Sequence, residues 1–316
     1  MRILVTGVTG FAGSFLAELL LDSGHDVYGL VHPDSSHQPC PDHDRFTPLT
    51  GNILVQNEVD KVFLLAKPHL VYHLAGQASP VRSWEIPAQT FAVNTGGTAN
   101  ILLSAQENGQ PRVVVVTSAH MYGTIGLSST AITEETIPAP ADPYGISKWA
   151  AGQLVSVYYR RYGLPVIEAR PFNHIGPRQT LGFVVPDFAS QIAAIKLGLR
   201  EPVIKVGNLS VRRDFTDVRD VAEAYRKLGL EGRAGETYLV CSGKTVSIRG
   251  ILDKIIEIAG VKVTVEEDPD RVRPADNNAV VGSYSKLQRE TGWEPQITLA
   301  QSLSDVFNEW LGTLSG

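Results

Sequence analysis

The 316-residue sequence lacks an apolar run of the ~18 residues that a membrane-spanning helix needs. It has only two cysteines, Cys40 and Cys241, which offer neither a disulfide framework nor the spacing of metal ligands. Charged residues make up 19% of the chain and the formal net charge is -5, so a polybasic nucleic-acid footprint is missing as well. We therefore expect no membrane, nucleic-acid or metal partner, and reduced thiols in the cytoplasm.

The N-terminal segment, residues 2–21, begins with one basic residue and continues with mostly apolar ones, as a short signal peptide does. Three glycines and Glu18 interrupt it, and no small-residue cleavage site follows. We therefore expect this segment to be part of the fold.

Hydrophobic residues make up 43% of the chain, and short β-branched runs alternate with helical patterns over the first ~170 residues. The strand-like runs lie at 3–5, 27–31, around Phe46, and at 70–72, 113–116 and 166–167; the helical patterns lie at 11–23, 56–66, 87–108 and from Asp142 onward. Residues 113–116 are four consecutive valines, which is typical of a strand buried on both faces. This alternation predicts an α/β fold with a Rossmann-type doubly wound parallel sheet.

The second half is less regular. It predicts helices near 184–198, 217–230, 247–259, 284–291 and 299–312, and strands near 203–206, 237–241 and 261–265. We interpret it as a smaller C-terminal α/β lobe, some of whose segments return to the large sheet. The predicted boundary divides the chain into residues 1–172 and 173–316.

A glycine-rich loop, T-G-V-T-G-F-A-G at residues 6–13, follows the first predicted strand and opens the first predicted helix. Such spacing alone is also found in ordinary tight turns, but this context is that of a dinucleotide-binding loop. Glycines let the backbone approach a pyrophosphate, and the N–H groups at the helix start receive its negative charge. The predicted cofactor contacts are Gly7, Thr9, Gly10, Phe11, Ala12 and Gly13.

Further cofactor contacts are expected after the second and third strands. NAD enzymes usually place an acidic residue at the end of the second strand, whereas this chain has His32 there, with Asp34 two residues on. The missing acid favours NADP(H), with NAD(H) as the alternative. Asn52 and Ile53 follow the third strand, where they can reach the adenine amino group; a turn asparagine explains Asn52 equally well.

Tyr144 and Lys148 are four residues apart in one predicted helix, so their side chains face the same way. A cation beside a phenol lowers the phenol's pKa, and such a tyrosine can exchange a proton with a sugar oxygen while hydride moves at the carbon. Ser118 closes the valine strand at the same sheet edge, where a hydroxyl can polarise a carbonyl. A strand-end cap is the alternative role for Ser118.

These residues together resemble the extended short-chain dehydrogenase/reductase superfamily along nearly the whole chain. Motifs in both halves resemble its branch of GDP-mannose 4,6-dehydratases and GDP-4-keto-6-deoxymannose reductases: N-T-G-G-T at 94–98, R-P-F-N-H-I-G-P at 170–177, V-G-N-L at 206–209, R-D-F-T-D-V at 213–218 and R-P-A-D at 273–276. The segments at 182–186 and 240–243 fit the reductases best.

The resemblance implies an NAD(P)-binding domain over residues 1–172 and a sugar-nucleotide-binding lobe over 173–316. It implies further cofactor contacts from Leu74, Ala75, Asn94, Tyr144 and Lys148. A GDP-linked sugar is expected to contact Asn173, Arg213, Arg273 and Asp276. For Arg213 a surface ion pair is the alternative. The resemblance also implies a homodimer through the helices near 87–108 and 142–163, with packing inside a monomer as the alternative.

One departure from the dehydratases bears on the reaction. Their acidic residues after the valine strand abstract the C5 proton, whereas this chain reads Ser118-Ala119-His120. The resemblance therefore implies reduction of the C4 ketone of GDP-4-keto-6-deoxy-D-mannose to GDP-D-rhamnose, with Ser118, Tyr144 and Lys148 as catalytic residues. The alternatives are a nucleotide-sugar dehydratase or epimerase, with His120 as an unusual base, and a non-catalytic dinucleotide-sensing regulator.

Overall fold

The computed structural model describes residues 1–35, 40–123, 131–268 and 280–316. Its strands are β1 (Arg2–Thr6), β2 (Asp26–Val31), β3 (Phe46–Thr50), β4 (Leu70–His73), β5 (Arg112–Val116), β6 (Val166–Pro171), β7 (Asn173–Ile175), β8 (Val203–Val206), β9 (Arg212–Asp217), β10 (Thr237–Val240), β11 (Thr245–Ser247) and β12 (Thr264–Glu267). Its α-helices are α1 (Phe11–Asp22), α2 (Gln56–Ala66), α3 (Pro80–Glu85), α4 (Pro87–Phe91), α5 (Gly97–Glu107), α6 (Pro143–Tyr162), α7 (Val184–Lys196), α8 (Val218–Glu231), α9 (Ile248–Ala259), α10 (Ser285–Thr291) and α11 (Leu299–Ser315).

The large sheet has seven strands in the order β10-β6-β5-β4-β1-β2-β3. Every pair of neighbours in it is parallel. Because β1 lies between β2 and β4, the chain winds first one way and then the other from the centre. This order confirms the doubly wound Rossmann-type prediction, and ligands bind at the carboxyl ends of the strands where the winding reverses.

Helices cover both faces of this sheet, and alternate strand residues feed two cores. Ile3 and Val5 pack with residues of α1 and α8 on one face, whereas Leu4 packs with residues of α2, α5 and α6 on the other. Residues 113–115 of β5 are at most 1% exposed. Three of the four valines are therefore buried, as the composition of the run predicted, and Val116 at the end of the strand is partly buried.

The C-terminal half builds its own core between α7, α9 and α11. Two smaller sheets accompany it, with strand orders β11-β9-β7 and β12-β8. The chain nevertheless returns to the large sheet, because β10 pairs with β6 and Val221 and Tyr225 of α8 join the core beneath α1. The boundary at 172/173 thus marks where the chain first leaves the large sheet, and as a division into domains it stays a prediction.

Several elements differ from the sequence prediction. The expected helix over 87–108 is α4 and α5 joined by a π-helical turn, Ala92–Gly96, and single π turns are frequent at functional sites. The last predicted strand lies at Thr264–Glu267, since Val203 of β8 pairs with Thr264 and sets that register. Helix α3 and strands β7, β9 and β11 carry no clear periodicity, because they are three to six residues long. Across the described ranges, the helices are all too short or too polar to cross a membrane.

Candidate active site

The glycine loop has a backbone geometry that side chains would prevent. Gly7 has a φ of +71°, and a Cβ there would lie 2.7 Å from the backbone nitrogen of Ala75. A Cβ on Gly13 would lie 2.1 Å from the carbonyl oxygen of Gly7. Gly10 is the N-cap of α1, and the first turn of that helix has no acidic side chain. The loop with Thr9, Phe11 and Ala12 therefore fits a pyrophosphate at a helix N-terminus.

The loop after β4 forms the opposite wall of this cleft. The backbone N–H of Ala75 donates to Thr6 Oγ1 at 3.1 Å, and that of Leu74 donates to the Thr6 carbonyl at 3.2 Å. His73 bridges Thr6 Oγ1, at 2.7 Å from its Nδ1, and Thr98 Oγ1, at 3.0 Å from its Nε2. Burial, with a smaller contribution from the Lys148 charge, lowers the pKa of His73 to about 3. No sequence pattern indicates this role, because a histidine at the end of an apolar strand is uninformative.

Asn94 lies in the π-helical turn, and its side-chain amide holds two other segments together. Its Oδ1 accepts from the Gln77 N–H at 2.8 Å, and its Nδ2 donates to the Gln77 carbonyl at 3.1 Å and to Ser147 Oγ at 2.9 Å. A Cβ on Gly76 would lie 2.9 Å from Asn94 Oδ1 and 3.2 Å from Lys148 Nζ. Asn94 and Lys148 thus converge on Gly76, which the sequence analysis did not single out.

The residues predicted for the adenosine end lie at the carboxyl ends of β2 and β3. His32 directly follows β2, and its Nδ1 is 3.7 Å from a carboxylate oxygen of the exposed Asp34. Asn52 Oδ1 accepts from the Leu54 N–H at 2.9 Å, which is the turn that was its alternative role. Ile53 is buried against Gly97. Contacts of these three residues with adenosine stay predictions.

Ser118, Tyr144 and Lys148 meet at the carboxyl edge of β5. Tyr144 and Lys148 lie in the first turns of α6 and are 8% and 7% exposed. The Ser118 hydroxyl lies close enough to the Tyr144 phenol to lower its pKa, and Lys148 Nζ donates to the Val116 carbonyl at 3.1 Å. The structure therefore brings the three predicted catalytic residues together.

Burial is the largest influence on the pKa values of Tyr144 and Lys148. It raises the pKa of Tyr144 above the ordinary value, against the opposite influence of the nearby Ser118 hydroxyl, and it lowers the pKa of Lys148 to about 8. Our expectation that Lys148 lowers the pKa of Tyr144 is thus not met in this structure, in which the ammonium group donates to a backbone carbonyl. A phenol with a raised pKa remains protonated at neutral pH, which suits an acid.

His120 lies beside this group. Its ring packs edge-on against Tyr144, with 5.5 Å between ring centroids, and its Nε2 contacts a carboxylate oxygen of Asp142. The other oxygen of Asp142 accepts from the Gly145 N–H at 2.8 Å and so caps α6. The sequence predicts a helical pattern from Asp142 onward, but nothing in it indicates the second contact of the Asp142 carboxylate, which joins residues 22 apart.

The predicted substrate residues are only partly described. Asn173 Nδ2 donates to the Asp214 carbonyl at 3.1 Å, and Arg213 lies on the adjacent strand, where one guanidinium nitrogen donates to the Arg212 carbonyl. Arg273 and Asp276 lie outside the described residues. The buried Asp214 carboxylate accepts from the N–H groups of residues 242, 243 and 282. Asp214 therefore holds these loops together, a role that no sequence pattern indicates.

Glu168 and Arg170 form a buried ion pair on β6, next to the carboxyl end of β5. Arg170 donates two hydrogen bonds to the carboxylate, at 2.9 and 2.8 Å, and a third to the Tyr122 hydroxyl at 2.8 Å. Thr117, the neighbour of Ser118, donates to the same carboxylate at 2.7 Å. A buried charge pair with its hydrogen bonds filled this way holds its neighbours in place.

A doubly wound sheet with this glycine loop and a serine–tyrosine–lysine group at its carboxyl edge defines an NAD(P)-dependent oxidoreductase of the extended short-chain dehydrogenase/reductase type. The model of the GDP-mannose 4,6 dehydratase family matches residues 4–306, and the chain belongs to that family. Within the described residues, histidine, cysteine and acidic side chains form no cluster of three or more that could hold a metal ion.

Both dehydratases and a reductase are among the relatives. The chain is 36% identical to the GDP-6-deoxy-D-mannose reductase of Pseudomonas aeruginosa, with 98% of this chain and 97% of that protein aligned. It is 30% identical to GDP-mannose 4,6 dehydratase 1 of Arabidopsis thaliana, over 97% of this chain and 88% of the relative. The solved structure of RMD from Pseudomonas aeruginosa complexed with NADPH superimposes with a TM-score of 0.86 at 34% identity, covering 99% of this chain and 100% of that one.

Proposed function

We propose that this protein reduces the C4 ketone of GDP-4-keto-6-deoxy-D-mannose to give GDP-D-rhamnose. The observation that carries the proposal is the proximity of the Ser118 hydroxyl to the Tyr144 phenol at the edge of β5, in a turn that carries no carboxylate at residues 119 and 120. The nearby Asp142 carboxylate caps α6 with one oxygen and contacts His120 with the other. It is therefore engaged and not free to remove a proton from a sugar carbon, which dehydration requires.

The reduction assigns a role to each of the three residues. The Ser118 hydroxyl donates to the ketone oxygen and stabilises the charge that builds on it. Tyr144, whose pKa is raised by burial, donates the proton to that oxygen. Lys148 supplies a positive charge beneath the site and lies where it can hold the nicotinamide ribose. NADPH, when bound, supplies the hydride that C4 receives.

NADPH is the proposed cofactor, with NADH as the alternative. His32 stands where NAD enzymes have the acid that binds the ribose hydroxyls, and an acid there would repel a 2′-phosphate. The similar RMD structure is complexed with NADPH, and a UDP-glucose 4-epimerase structure with 29% identity is complexed with NAD.

The sequence-predicted roles of Asn173, Arg213, Arg273 and Asp276 in binding the GDP-linked sugar belong to this proposal.

We also propose a homodimer through α4, α5 and α6. Apolar side chains face outward on α6, with Ile146 40%, Trp149 36% and Val157 45% exposed in the single chain. Size-exclusion chromatography with light scattering tests the dimer: Trp149→Glu is expected to yield monomers, and a wild-type monomer would contradict it. A cytoplasmic location stays a prediction from the sequence.

Incubation of the pure protein with the keto sugar and NADPH tests the proposed reaction. We expect the absorbance of reduced nicotinamide to fall in step with formation of the 4-hydroxy product. GDP-mannose alone is expected to stay unchanged. Formation of the keto sugar from GDP-mannose alone would instead establish 4,6-dehydration, which a recycled cofactor supports without net consumption.

The contact of His120 with Asp142 is the one observation that favours this second function, because a carboxylate-backed imidazole is a competent base.

A further inference from the structure

The polarising serine and the proton-donating tyrosine belong to different segments of the chain. Ser118 precedes a single 3-10 turn, Ala119–Tyr122, and its Oγ accepts the His120 N–H at 3.1 Å. Tyr144 lies in the first turn of α6, which begins at Pro143. A ketone oxygen has to meet both hydroxyls at once, so the distance between these two segments matters for the reaction.

The side chains of His120 and Asp142 join the two segments. His120 Nε2 contacts one oxygen of Asp142, while the other oxygen accepts the Gly145 N–H at 2.8 Å. Burial tends to raise the pKa of Asp142, but the hydrogen bonds from His120 and the Gly145 amide outweigh it and lower the pKa. The carboxylate is thus ionised at neutral pH and accepts from both segments.

Two glycines let the segments come this close. A Cβ on Gly145 would lie 3.2 Å from the His120 carbonyl oxygen, and a Cβ on Gly123 would lie 2.1 Å from the Ala139 carbonyl oxygen. The 3-10 turn therefore packs directly on the backbone that leads into α6. The contact between His120 and Asp142 is the side-chain link across this packed junction.

We infer that His120 and Asp142 are positioning residues, whose mutual hydrogen bond sets the Ser118 hydroxyl against the Tyr144 phenol. This inference rests on the proposed reduction. It gives a role to two residues that do not take part in the chemical step assigned to Ser118, Tyr144 and Lys148. His120 acts through its backbone N–H on Ser118 and through its ring on Tyr144, and Asp142 acts through the helix cap. The imidazole transfers no proton in this role.

Two substitutions of His120 separate positioning from proton transfer. His120→Gln keeps an N–H donor near the Nε2 position but cannot act as a base, whereas His120→Ala keeps neither. Because a shift of about 1 Å costs about 100-fold in rate, we expect kcat to fall about 100-fold in His120→Ala with unchanged affinity for NADPH. His120→Gln is expected to recover to within about 10-fold of wild type, since its amide N–H can still donate to the ionised Asp142 carboxylate.

A double-mutant cycle tests whether the two residues act together. Asp142→Ser keeps a side-chain cap for α6 but is too short to reach His120. We expect the double variant His120→Ala/Asp142→Ser to be no slower than the slower single variant, because both changes remove one interaction. His43→Ala is the matched control, since His43 is exposed and its Nδ1 accepts from the Arg45 N–H at 3.0 Å, away from the active site.

The inference is overturned if His120→Gln is as slow as His120→Ala, because the imidazole itself would then do the chemistry. Wild-type turnover in His120→Ala, or additive losses in the cycle, would overturn it too. Crystal structures of both His120 variants give a measurement that needs no substrate. The distance between Ser118 Oγ and the Tyr144 hydroxyl oxygen should increase in the alanine variant and stay unchanged in the glutamine variant. A wild-type protein that leaves the keto sugar unreduced refutes the proposed function, while these structures still decide the positioning role.

Discussion

The ring of Phe11 in the glycine loop stacks on the imidazole of His174 in the C-terminal half, with centroids 5.7 Å apart and 18° between the planes. His174 is neutral there, because burial lowers its pKa. The neighbouring Asn173 is a predicted substrate contact. The stack therefore connects the loop that is expected to hold the cofactor with the strand that is expected to hold the substrate.

We predict that His174→Ala weakens NADPH binding even though His174 belongs to the C-terminal half of the chain. The Phe11→Leu and His174→Ala changes should be coupled by about 1 kcal/mol, the usual worth of an aromatic pair beyond its buried area. Titration of the cofactor's fluorescence against the two single variants and the double variant measures this coupling. Additive losses of affinity would show that the rings only fill space.

Tyr144→Phe removes the phenol oxygen and leaves the ring in place. We predict a fall in kcat of about 100- to 10,000-fold, the range for loss of a general acid, with little change in NADPH affinity. Tyr162→Phe, on the same helix but 47% exposed, is the control. Retention of turnover in the Tyr144 variant would show that another group protonates the ketone oxygen.

Lys148 gives the expected pH dependence of the reduction. Burial lowers its pKa to about 8, so its positive charge is present below that pH and is lost as the pH rises through it. The pKa of Tyr144 is raised, so the phenol does not titrate in the same range. We therefore predict that kcat/KM falls above about pH 8. The residual activity of Lys148→Arg should show no such fall, since a guanidinium stays charged.

Part of this arrangement was predictable from the sequence. The parallel, doubly wound sheet follows from the alternating pattern, and the glycine loop, Ser118, Tyr144 and Lys148 follow from their places at the ends of predicted elements. The bond between His120 and Asp142 and the bridge made by His73 were not predictable. They join residues distant in sequence through side chains whose directions depend on the finished packing. The same holds for the π turn at Asn94, because the pattern over 87–108 predicts one continuous helix and carries no signal for a π turn within it.

The buried His73 makes the free energy of unfolding depend on pH in the acid range. Its pKa is lowered from 6.5 to about 3 by burial, so between these values the unfolded chain binds more protons than the folded one. The free energy of unfolding should therefore fall as the pH drops below 6.5, by at most about 1.4 kcal/mol per pH unit. Urea denaturation of wild type and His73→Gln at several pH values measures this fall in the free energy of unfolding. The variant, which cannot take up this proton, should lose less stability in acid, and parallel pH curves would contradict the prediction.

His32 is the predicted determinant of cofactor choice. His32→Asp places a negative charge where the 2′-phosphate of NADPH is expected, and like charges in contact cost several kcal/mol. We predict that KM for NADPH rises at least about 10-fold relative to KM for NADH. Asp34→Asn, which removes a negative charge 3.7 Å from His32 Nδ1, should shift the ratio the other way. An unchanged ratio in both variants would place the phosphate elsewhere.

The edge strand of the large sheet next to β6 is β10, which comes from a late part of the chain, Thr237–Val240. β6, whose six residues are all buried, is flanked by β10, and the Glu168 carboxylate accepts a hydrogen bond from Thr237 at 2.9 Å. A nascent chain that has left the ribosome only as far as β6 therefore presents an open, apolar sheet edge and a charge pair without its full set of partners. Translation must pass β10 before that edge can close, so a fragment of residues 1–172 is expected to aggregate rather than bind nucleotide on its own.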